Sequence, residues 1–438
     1  MLSPREARAL CSGTDVESTL RVLRREHIDA GALRKLLAQR EDDGEGPRPT
    51  VAELVDEHGR TSEAAVHVPA GVPRGRLGAL VVLHGAGGSG PQVLPHFTAL
   101  GDRVGAAVIC PTAQVPPRPA NGLDLAGPFG KRFARPSWDL RGGDLPLAAL
   151  RWARSVLDVD PDRCFVAGVS MGGLATWNLG MRFWPRFAGA VPLNGALSMW
   201  EVFGTDRRSR TLLPNLRALP VFAVHGSEDE QIPARFDRQS VATLRELGHH
   251  DVEYVEVADG QHGLETLGMG PGTPLHRRLA QWLAARRRAT CPVAIRHRAD
   301  EDRHGRAHWV QASGISPRAA AEVRAHRKGP GHVVIDVEHA TSVTLHLSSA
   351  WVSPGETLRV SVNGETSAVR FEPDLETTVA SFRETADPDS TAEQVASFEV
   401  PPDTETRDDA AHPIRDPRDA ARQGHRTGGD LRAGTAGP

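Results

Sequence analysis

Ser170 is the residue of this chain whose surroundings most clearly prepare it for chemistry. It stands in the pattern G-x-S-x-G at residues 168–172, directly after an apolar run at residues 164–167 and before a helical stretch at residues 174–179. A serine on a sharp strand-to-helix turn presents its hydroxyl at the end of a sheet. The flanking glycines are needed because a Cβ there would collide with the strand or the helix. The pattern predicts a nucleophile at Ser170, with the backbone N–H of Met171 facing a developing oxyanion.

A nucleophilic serine needs a base and an acid that orients the base. A loop with the pattern H-G-x-x-D-x-x-[IV]-P follows an apolar run, at residues 225–233. Asp229 occupies the acid position of that pattern, and Glu228 and Glu230 are the alternatives in the same turn. We predict that Asp229 is the orienting acid.

The base candidate is His262, in a glycine-flanked loop after the last predicted strand of this region and before a closing helix. His249 and His250 are alternatives, but they precede that strand and would have to reach back from its opposite end. Three suitable side chains therefore follow predicted strands in the order Ser170, Asp229, His262. This order and placement predict a nucleophile, base and acid that act together.

The loop HGAGGSG at residues 84–90 directly follows another apolar run and is the oxyanion-hole candidate. Its glycines let the backbone approach a substrate, and the N–H of Ala86 or Gly87 is the best placed to point inward. The same residues also fit G-x-G-x-x-G, but a dinucleotide site needs an acid about 20 residues later. The next strand ends at residues 108–112 without one. We therefore expect neither a nucleotide nor another cofactor.

The elements that must position these loops alternate between apolar runs and helical patterns. This rhythm predicts an α/β fold with a mainly parallel sheet, helices on both faces, and the site at the carboxyl ends of the strands. The predicted strands include residues 64–69, 77–84, 106–111, 164–167, 187–192, 220–225 and 252–257.

The chain is expected to divide into four parts. An N-terminal helical extension at residues 1–46 precedes the α/β domain at residues 60–288, and alternating apolar patterns at residues 292–385 predict a small antiparallel β domain. A helical pattern interrupts this β domain only at residues 317–323. Residues 387–438 are polar and rich in Asp, Arg, Pro and Gly, which predicts a disordered tail.

Composition excludes several classes of function. The chain has 438 residues and a formal net charge of −3 with both signs interspersed, so we expect no nucleic-acid partner and no membrane partner. Its four cysteines are far apart and lack metal spacing, which predicts neither a disulfide framework nor a metal site. His297, His304 and His308 lie among arginines and acids, as on a solvated strand edge. No secretory signal or membrane span is recognisable, so a cytoplasmic location is expected.

Together, the motifs resemble the α/β-hydrolase superfamily, and within it the serine esterases related to polyhydroxybutyrate depolymerases, feruloyl esterases and dienelactone hydrolase-like enzymes. The resemblance covers residues 60–288. It implies that Ser170 is the nucleophile, that His262 acts as general base and then acid, and that Asp229 orients it. The implied substrate is a small carboxylic ester, cleaved through an acyl-enzyme. The motifs that carry the resemblance are at residues 84–87, 168–173, 225–233 and 262–263.

Four further side chains are candidates for the substrate pocket: His84, Trp138, Trp200 and Phe203. The last two lie in the insertion at residues 197–219, which is interpreted either as a short cap or as a surface excursion. Two other functions stay open at this point. One is a serine peptidase of the same fold, and the other is a non-catalytic binding protein on a hydrolase scaffold.

Overall fold

The structure is a computed structural model that describes residues 2–13, 15–40, 44, 46–114, 138, 144–197, 211–329 and 331–401. Several sequence predictions fall outside these residues. They include the pocket candidates Trp200 and Phe203, most of the cap candidate at residues 197–219, and the tail from residue 402.

Within the described residues, eight strands form one mixed sheet in the order β1-β2-β4-β3-β5-β6-β7-β8. From β4 to β8 all neighbouring strands are parallel, whereas β1 and β2 are antiparallel to their neighbours. The strands are β1 (Val51–Val55), β2 (Thr61–His67), β3 (Gly78–Leu83), β4 (Ala106–Pro111), β5 (Cys164–Val169), β6 (Gly189–Leu193), β7 (Val221–Gly226) and β8 (Val252–Val257).

Helices cover both faces of this sheet, as predicted. Helices α6, α7 and α8 share one apolar core with β3 and β5, while α5 and α9 share a second core on the opposite face. The two cores take alternate residues of the same strands, because successive side chains of a strand point to opposite faces. The helices of this domain are α4 (Gly90–Val93), α5 (Thr98–Val104), α6 (Asp144–Trp152), α7 (Met171–Phe183), α8 (Arg235–Glu246) and α9 (Pro274–Ala285).

The α/β domain begins at β1 and not near residue 60. Ala52 and Leu54 are buried in its core, while Val51 and Val55 face solvent at the edge of the sheet. The five-residue alternation of β1 follows an acidic, polar segment at residues 41–50, and so it did not stand out as a strand.

The C-terminal β unit consists of two facing sheets, ordered β10-β11-β14-β17 and β16-β15-β13-β12-β9 within the described residues. The predicted alternation is present, because inward side chains such as Val343, Leu345 and Ile335 are buried between the sheets. The strands are β9 (Ala294–Ala299), β10 (Arg306–Ala307), β11 (Val310–Ser313), β12 (Ala321–Arg327), β13 (His332–Glu338), β14 (Ser342–Leu347), β15 (Thr357–Val362), β16 (Glu365–Arg370) and β17 (Gln394–Glu399).

Two predictions for this unit are wrong. The helical pattern at residues 317–323 is a turn that leads into strand β12, which is hydrogen-bonded on both sides. The tail does not begin at residue 387, because β17 pairs with β14 in register from Ser342↔Glu399 to Leu347↔Gln394. The short alternation of β17 is mostly half-exposed, so its composition resembles that of a solvated segment.

The N-terminal extension forms three helices, α1 (Pro4–Ser12), α2 (Val16–Arg25) and α3 (Ala30–Ala38), that pack on a helix of the C-terminal unit. That helix is α10 (Leu375–Thr385), and its Val379 and Phe382 are buried against the extension. Capping side chains begin each helix, including a complete capping box between Ser3 and Glu6. No helix among the described residues is long and apolar enough to span a membrane.

The three histidines expected on a solvated edge lie at the junction of the α/β domain and the C-terminal unit. His297 and His304 are each only 1% exposed, and His308 is half-buried. The indole N–H of Trp184 donates to His297 Nδ1 at 3.1 Å, and His304 Nδ1 contacts a carboxylate oxygen of Asp300 at 2.6 Å. In the part of the chain that the structure describes, no His, Cys, Asp and Glu side chains group as metal ligands.

A second buried polar group at this junction, the junction cluster, consists of Arg154, Asp162, Arg288 and Asp387. Arg288 binds both carboxylate oxygens of Asp387, at 2.6 Å and 3.2 Å, and reaches Asp162 at 3.0 Å. Arg154 lies 3.5 Å from Asp387. A buried carboxylate between two guanidinium groups joins the two parts of the chain.

Candidate active site

The turn between β5 and α7 places Ser170 in the conformation of a nucleophile elbow. Ser170 has φ 59° and ψ −119°, a strained combination for a residue with a side chain. The turn requires close approach of two backbone segments: a Cβ on Gly168 would lie 2.4 Å from the carbonyl oxygen of Gly172, and a Cβ on Gly172 would lie 2.1 Å from that of Leu83. Glycine at both positions therefore lets the helix cross the strands closely enough to hold the strained serine.

The three residues predicted to act together lie in hydrogen-bonding contact. His262 Nε2 is 2.7 Å from Ser170 Oγ, and His262 Nδ1 is 2.7 Å from Asp229 Oδ2. An ionised carboxylate only accepts hydrogen bonds, so Nδ1 carries the proton and Nε2 accepts the serine hydroxyl. The arrangement can remove a proton from Ser170.

Asp229 is fully buried and held by four nitrogen atoms. Its Oδ1 accepts the backbone N–H groups of Gln231 at 2.9 Å and Ile232 at 2.8 Å, while Oδ2 faces His262 and, at 3.4 Å, His225 Nε2. Burial alone would raise the pKa of this carboxyl. The hydrogen bonds from His225, His262 and Ile232 outweigh burial and hold the pKa well below its usual range. Asp229 is therefore a carboxylate at neutral pH.

The alternatives to these residues lie elsewhere. Glu228 and Glu230 are exposed, although they flank Asp229. His249 is buried at the other end of the sheet, where its Nε2 donates to the carbonyl of Leu219 at 2.9 Å, and His250 is exposed.

A buried asparagine that was not predicted from the sequence joins the loops of the site. Asn194 follows β6, and its amide donates to the carbonyl oxygens of Gln261 at 2.9 Å and His262 at 2.7 Å. Its Oδ1 accepts the N–H of Gly226 at 2.8 Å. Asn194 thereby holds the His262 loop against the end of β7. A polar residue directly after an apolar strand was the available signal.

The loop after β3 is held from behind by two aromatic side chains. His84 Nδ1 donates to the carbonyl of Gly85 at 2.7 Å, and its Nε2 accepts the N–H of Ala113 at 3.0 Å. Trp138 donates to the carbonyl of His84 at 2.8 Å. Burial lowers the pKa of His84, so its ring is neutral. Both side chains support the loop from within the protein, and both were predicted to line the substrate pocket. His84 also lines the cavity beside Ser170, whereas Trp138 is not among its lining residues.

The candidate oxyanion donors lie on the outer side of this support. A tight turn closed by the Gly88 N–H on the carbonyl of Gly85 carries Ala86 and Gly87, and Gly87 has φ 73°, which favours glycine. Met171 is the first residue of α7, where backbone N–H groups have no partner within the helix. Met171 follows Ser170 in the chain, and the turn begins beside Ser170, because a Cβ on Gly85 would lie 3.3 Å from Ser170 Cβ.

An open cavity of about 280 Å³ adjoins Ser170 and His262. Its walls include the loop after β3 and the loop that carries His262, and its polar side chains include Gln92, His96, Gln231 and Glu265. The site therefore has a nucleophile, a base, candidate oxyanion donors and room for a small acyl group.

A family model and several solved structures match part of the chain. Residues 149–270 match the family model described as phospholipase/carboxylesterase. No curated relative matches the chain. The solved structures that match include a thermostable esterase, with 24% identity over 54% of this chain and 63% of that chain and a TM-score of 0.41. The aligned region thus spans less than two thirds of that esterase.

Two further structures resemble the chain less in sequence. S-formylglutathione hydrolase (FrmB) from Staphylococcus aureus is 15% identical over 53% of this chain and 97% of that chain, with a TM-score of 0.39. Esterase 2 of Thermogutta terrifontis, phosphorylated by paraoxon, is 19% identical over 54% and 92%, also with a TM-score of 0.39. The chain has the α/β-hydrolase fold with an added C-terminal β unit, and its resemblance to serine esterases is confirmed. The family match supports a hydrolase that acts on esters.

Proposed function

We propose that the protein is a serine esterase that cleaves carboxylic esters through an acyl-enzyme, with Ser170, His262 and Asp229 as its catalytic triad. The observation that carries this proposal is the position of His262, whose two ring nitrogens lie 2.7 Å from Ser170 Oγ and 2.7 Å from Asp229 Oδ2.

In the first half of the proposed reaction, Ser170 Oγ attacks the ester carbonyl while His262 Nε2 takes the hydroxyl proton. The resulting oxyanion is stabilised by backbone N–H groups of Met171 and of Ala86 or Gly87. When the tetrahedral intermediate collapses, His262 gives its proton to the departing alcohol. The products are the free alcohol and an ester of Ser170.

In the second half, water takes the place of the alcohol. His262 removes a proton from the water as it attacks the acyl carbonyl, and the proton returns to Ser170 Oγ when the acid leaves. Asp229 stays ionised throughout and stabilises the imidazolium. No cofactor takes part in these steps. The cytoplasmic location expected from the sequence stays a prediction.

Labelling with a fluorophosphonate probe tests the nucleophile. We expect the wild-type protein to be labelled at Ser170 and Ser170→Ala to lose labelling. In the variant, kcat on p-nitrophenyl acetate falls by about 10⁶-fold, as it does when a serine nucleophile is removed. The matched control is Ser89→Ala, because Ser89 also lines the cavity but contacts Gln92 instead of His262.

The two alternative functions give different results in the same experiment. Equal activity of Ser170→Ala and wild type would refute the proposal. A folded wild-type protein that the probe does not label would favour a binding protein on a hydrolase scaffold. Faster hydrolysis of aminoacyl anilides than of p-nitrophenyl esters would favour a peptidase.

A further inference from the structure

A second histidine–carboxylate pair lies directly behind Asp229. His225, at the end of β7, is fully buried, and its Nδ1 lies 2.8 Å from Asp237 Oδ2. Its Nε2 lies 2.7 Å from the carbonyl oxygen of Ile232 and 3.4 Å from Asp229 Oδ2. One imidazole therefore touches the carboxylate that orients His262 and a second carboxylate, on α8, that faces away from the nucleophile.

The contacts of this pair determine where its proton lies. A carbonyl oxygen only accepts, so His225 Nε2 carries a proton toward Ile232. Asp237 accepts the indole N–H of Trp177 at 2.9 Å and a backbone N–H from Gly195. Burial is the largest effect on Asp237 and raises its pKa, whereas these two donors and His225 oppose burial and favour the carboxylate. With the proton of the pair on the imidazole, Nδ1 also carries a proton and His225 is an imidazolium.

The pKa of His225 agrees with this assignment. Burial lowers this pKa, but the nearby Asp229 carboxylate and the hydrogen bond to Asp237 outweigh burial and raise the pKa to about 9. Other ionisable side chains that the structure describes near the ring include His262, beyond Asp229, and Glu256 on β8, whose charge is matched by Arg238 at 2.6 Å. At neutral pH the ring is thus a cation between two carboxylates.

We propose that His225 is a positioning residue of the catalytic triad, and that its ion pair with Asp237 holds Asp229 in the orientation that His262 requires. The inference rests on the proposed function, because it assigns a role only if Asp229 orients a catalytic base. His225 touches neither substrate nor Ser170 in this role, and it acts through Asp229.

Two hydrogen bonds and the 3.4 Å contact between His225 and Asp229 form a ring that explains how the positioning works. His225 Nε2–H holds the carbonyl of Ile232, and the N–H of the same residue donates to Asp229 Oδ1 at 2.8 Å. The carboxylate cannot rotate without breaking this ring, so Oδ2 stays directed at His262. A displacement of about 1 Å in such an arrangement costs about 100-fold in rate.

The substitution Asp237→Asn tests the proposal because it removes the charge opposite His225 and keeps the size of the side chain. His225 then loses its second proton, and a positive charge disappears from beside Asp229 and His262. Without that charge the Asp229–His262 pair takes up a proton more readily, so the acid limb of the kcat/KM profile moves to higher pH. We also expect kcat to fall by about 10- to 100-fold, with little change in KM.

Two further variants separate positioning from a general loss of stability. His225→Gln keeps an N–H near Ile232 without the charge, and we expect it to shift the acid limb in the same direction. The matched control is His249→Gln, because His249 is also a buried histidine with both ring nitrogens bonded to backbone groups, far from Ser170. We expect this control to have a lower melting temperature and an unchanged pH profile of kcat/KM. If Asp237→Asn does not fold, His225→Gln provides the test.

The outcomes separate this proposal from the proposed function. If Ser170→Ala is inactive while Asp237→Asn, or His225→Gln in its place, has the kcat and acid limb of the His249→Gln control, the positioning role is refuted and the esterase stands. If Ser170→Ala retains full activity, the proposed function fails first. A lower kcat with an acid limb moved to higher pH supports the positioning role.

Discussion

Two buried carboxylates, Asp229 beside the nucleophile and Asp387 in the junction cluster, are alike in their burial and their lowered pKa but differ in their partners. Neither side chain is exposed to solvent, and the pKa of each lies well below its usual range. Asp387 is held by two guanidinium groups, which do not release protons in proteins. Asp229 is held by two imidazoles, which do.

This difference indicates which of the two buried carboxylates can take part in proton transfer. One imidazole partner of Asp229 also contacts a hydroxyl that faces a cavity, so a proton can move and a substrate can enter. The partners of Asp387 include a guanidinium that reaches the backbone of the α/β domain at Pro185, which fixes the junction. A strongly lowered carboxyl pKa therefore marks both a candidate catalytic site and a structural joint.

Among variants of the two carboxylate sites, Asp229→Asn has the largest expected effect. The amide cannot accept the His262 Nδ1 proton in the same way and favours the wrong tautomer, so we expect kcat to fall about 10⁴-fold. Steady-state kinetics with p-nitrophenyl acetate measure the loss. Glu228→Gln, in the same turn but exposed, is the matched control and should retain wild-type kcat. Equal activity of the two variants would show that Asp229 contributes no more to catalysis than the exposed Glu228.

Asp387→Asn should affect stability and leave chemistry intact. The variant removes the charge that Arg288 and Arg154 share and leaves Arg288 with Asp162 alone. Because the lost partner belongs to a buried ion pair, we expect a loss of about 3–5 kcal/mol in the free energy of unfolding. Urea unfolding measures this loss, and Asp336→Asn, on the exposed side of β13, serves as the control. A change in kcat of the folded variant as large as that of Asp229→Asn would contradict the distinction.

The same variant gives a test with a defined pH range. A carboxyl whose pKa is lowered on folding stabilises the protein fully above its unfolded value of about 3.9, and this contribution is lost as the pH falls toward the folded value. The stability difference between wild type and Asp387→Asn should therefore be constant above about pH 5 and shrink below pH 4. A difference that does not depend on pH would argue against an ionised Asp387.

The stability that His225 contributes should depend on pH in the opposite direction. Its pKa in the folded protein is about 9, above the unfolded value of about 6.5. It therefore stabilises the protein below pH 6.5, and the contribution, at most about 3 kcal/mol, is lost as the pH rises through 9. We expect the stability difference between wild type and His225→Gln to decrease from pH 6.5 to pH 9.5 in urea unfolding. A constant difference would contradict the imidazolium assignment.

We expect the smallest effect on the free energy of unfolding at an exposed ion pair, which serves as the reference for the buried pairs. Arg278 and Glu253 are 2.9 Å apart with side chains 54% and 33% exposed. We expect Glu253→Gln to change the free energy of unfolding by less than about 1 kcal/mol. A loss of stability as large as that of Asp387→Asn would show that burial does not explain the larger contribution of the Asp387 ion pairs.

The sequence predicts the site residues that directly follow strands better than the residues that hold those site residues in position. Ser170, Asp229 and His262 could be chosen because parallel strands bring their carboxyl ends to one edge. Asp237 could not, because in sequence it is an ordinary acid in the first turn of a helix, and only the fold brings it to His225. The fold class was predicted correctly, whereas β1 and β17 were missed because their short alternations lie in polar segments.

The packing of the first three helices on α10 has a practical consequence for expressing the protein in pieces. A recombinant fragment that stops after α9 would leave Leu23, Leu33 and Leu37 facing water, since their cover comes from Val379 and Phe382 some 340 residues later. A fragment that starts at β1 would leave the same surface of α10 bare. Soluble material is therefore expected only when both ends of residues 2–401 are kept together.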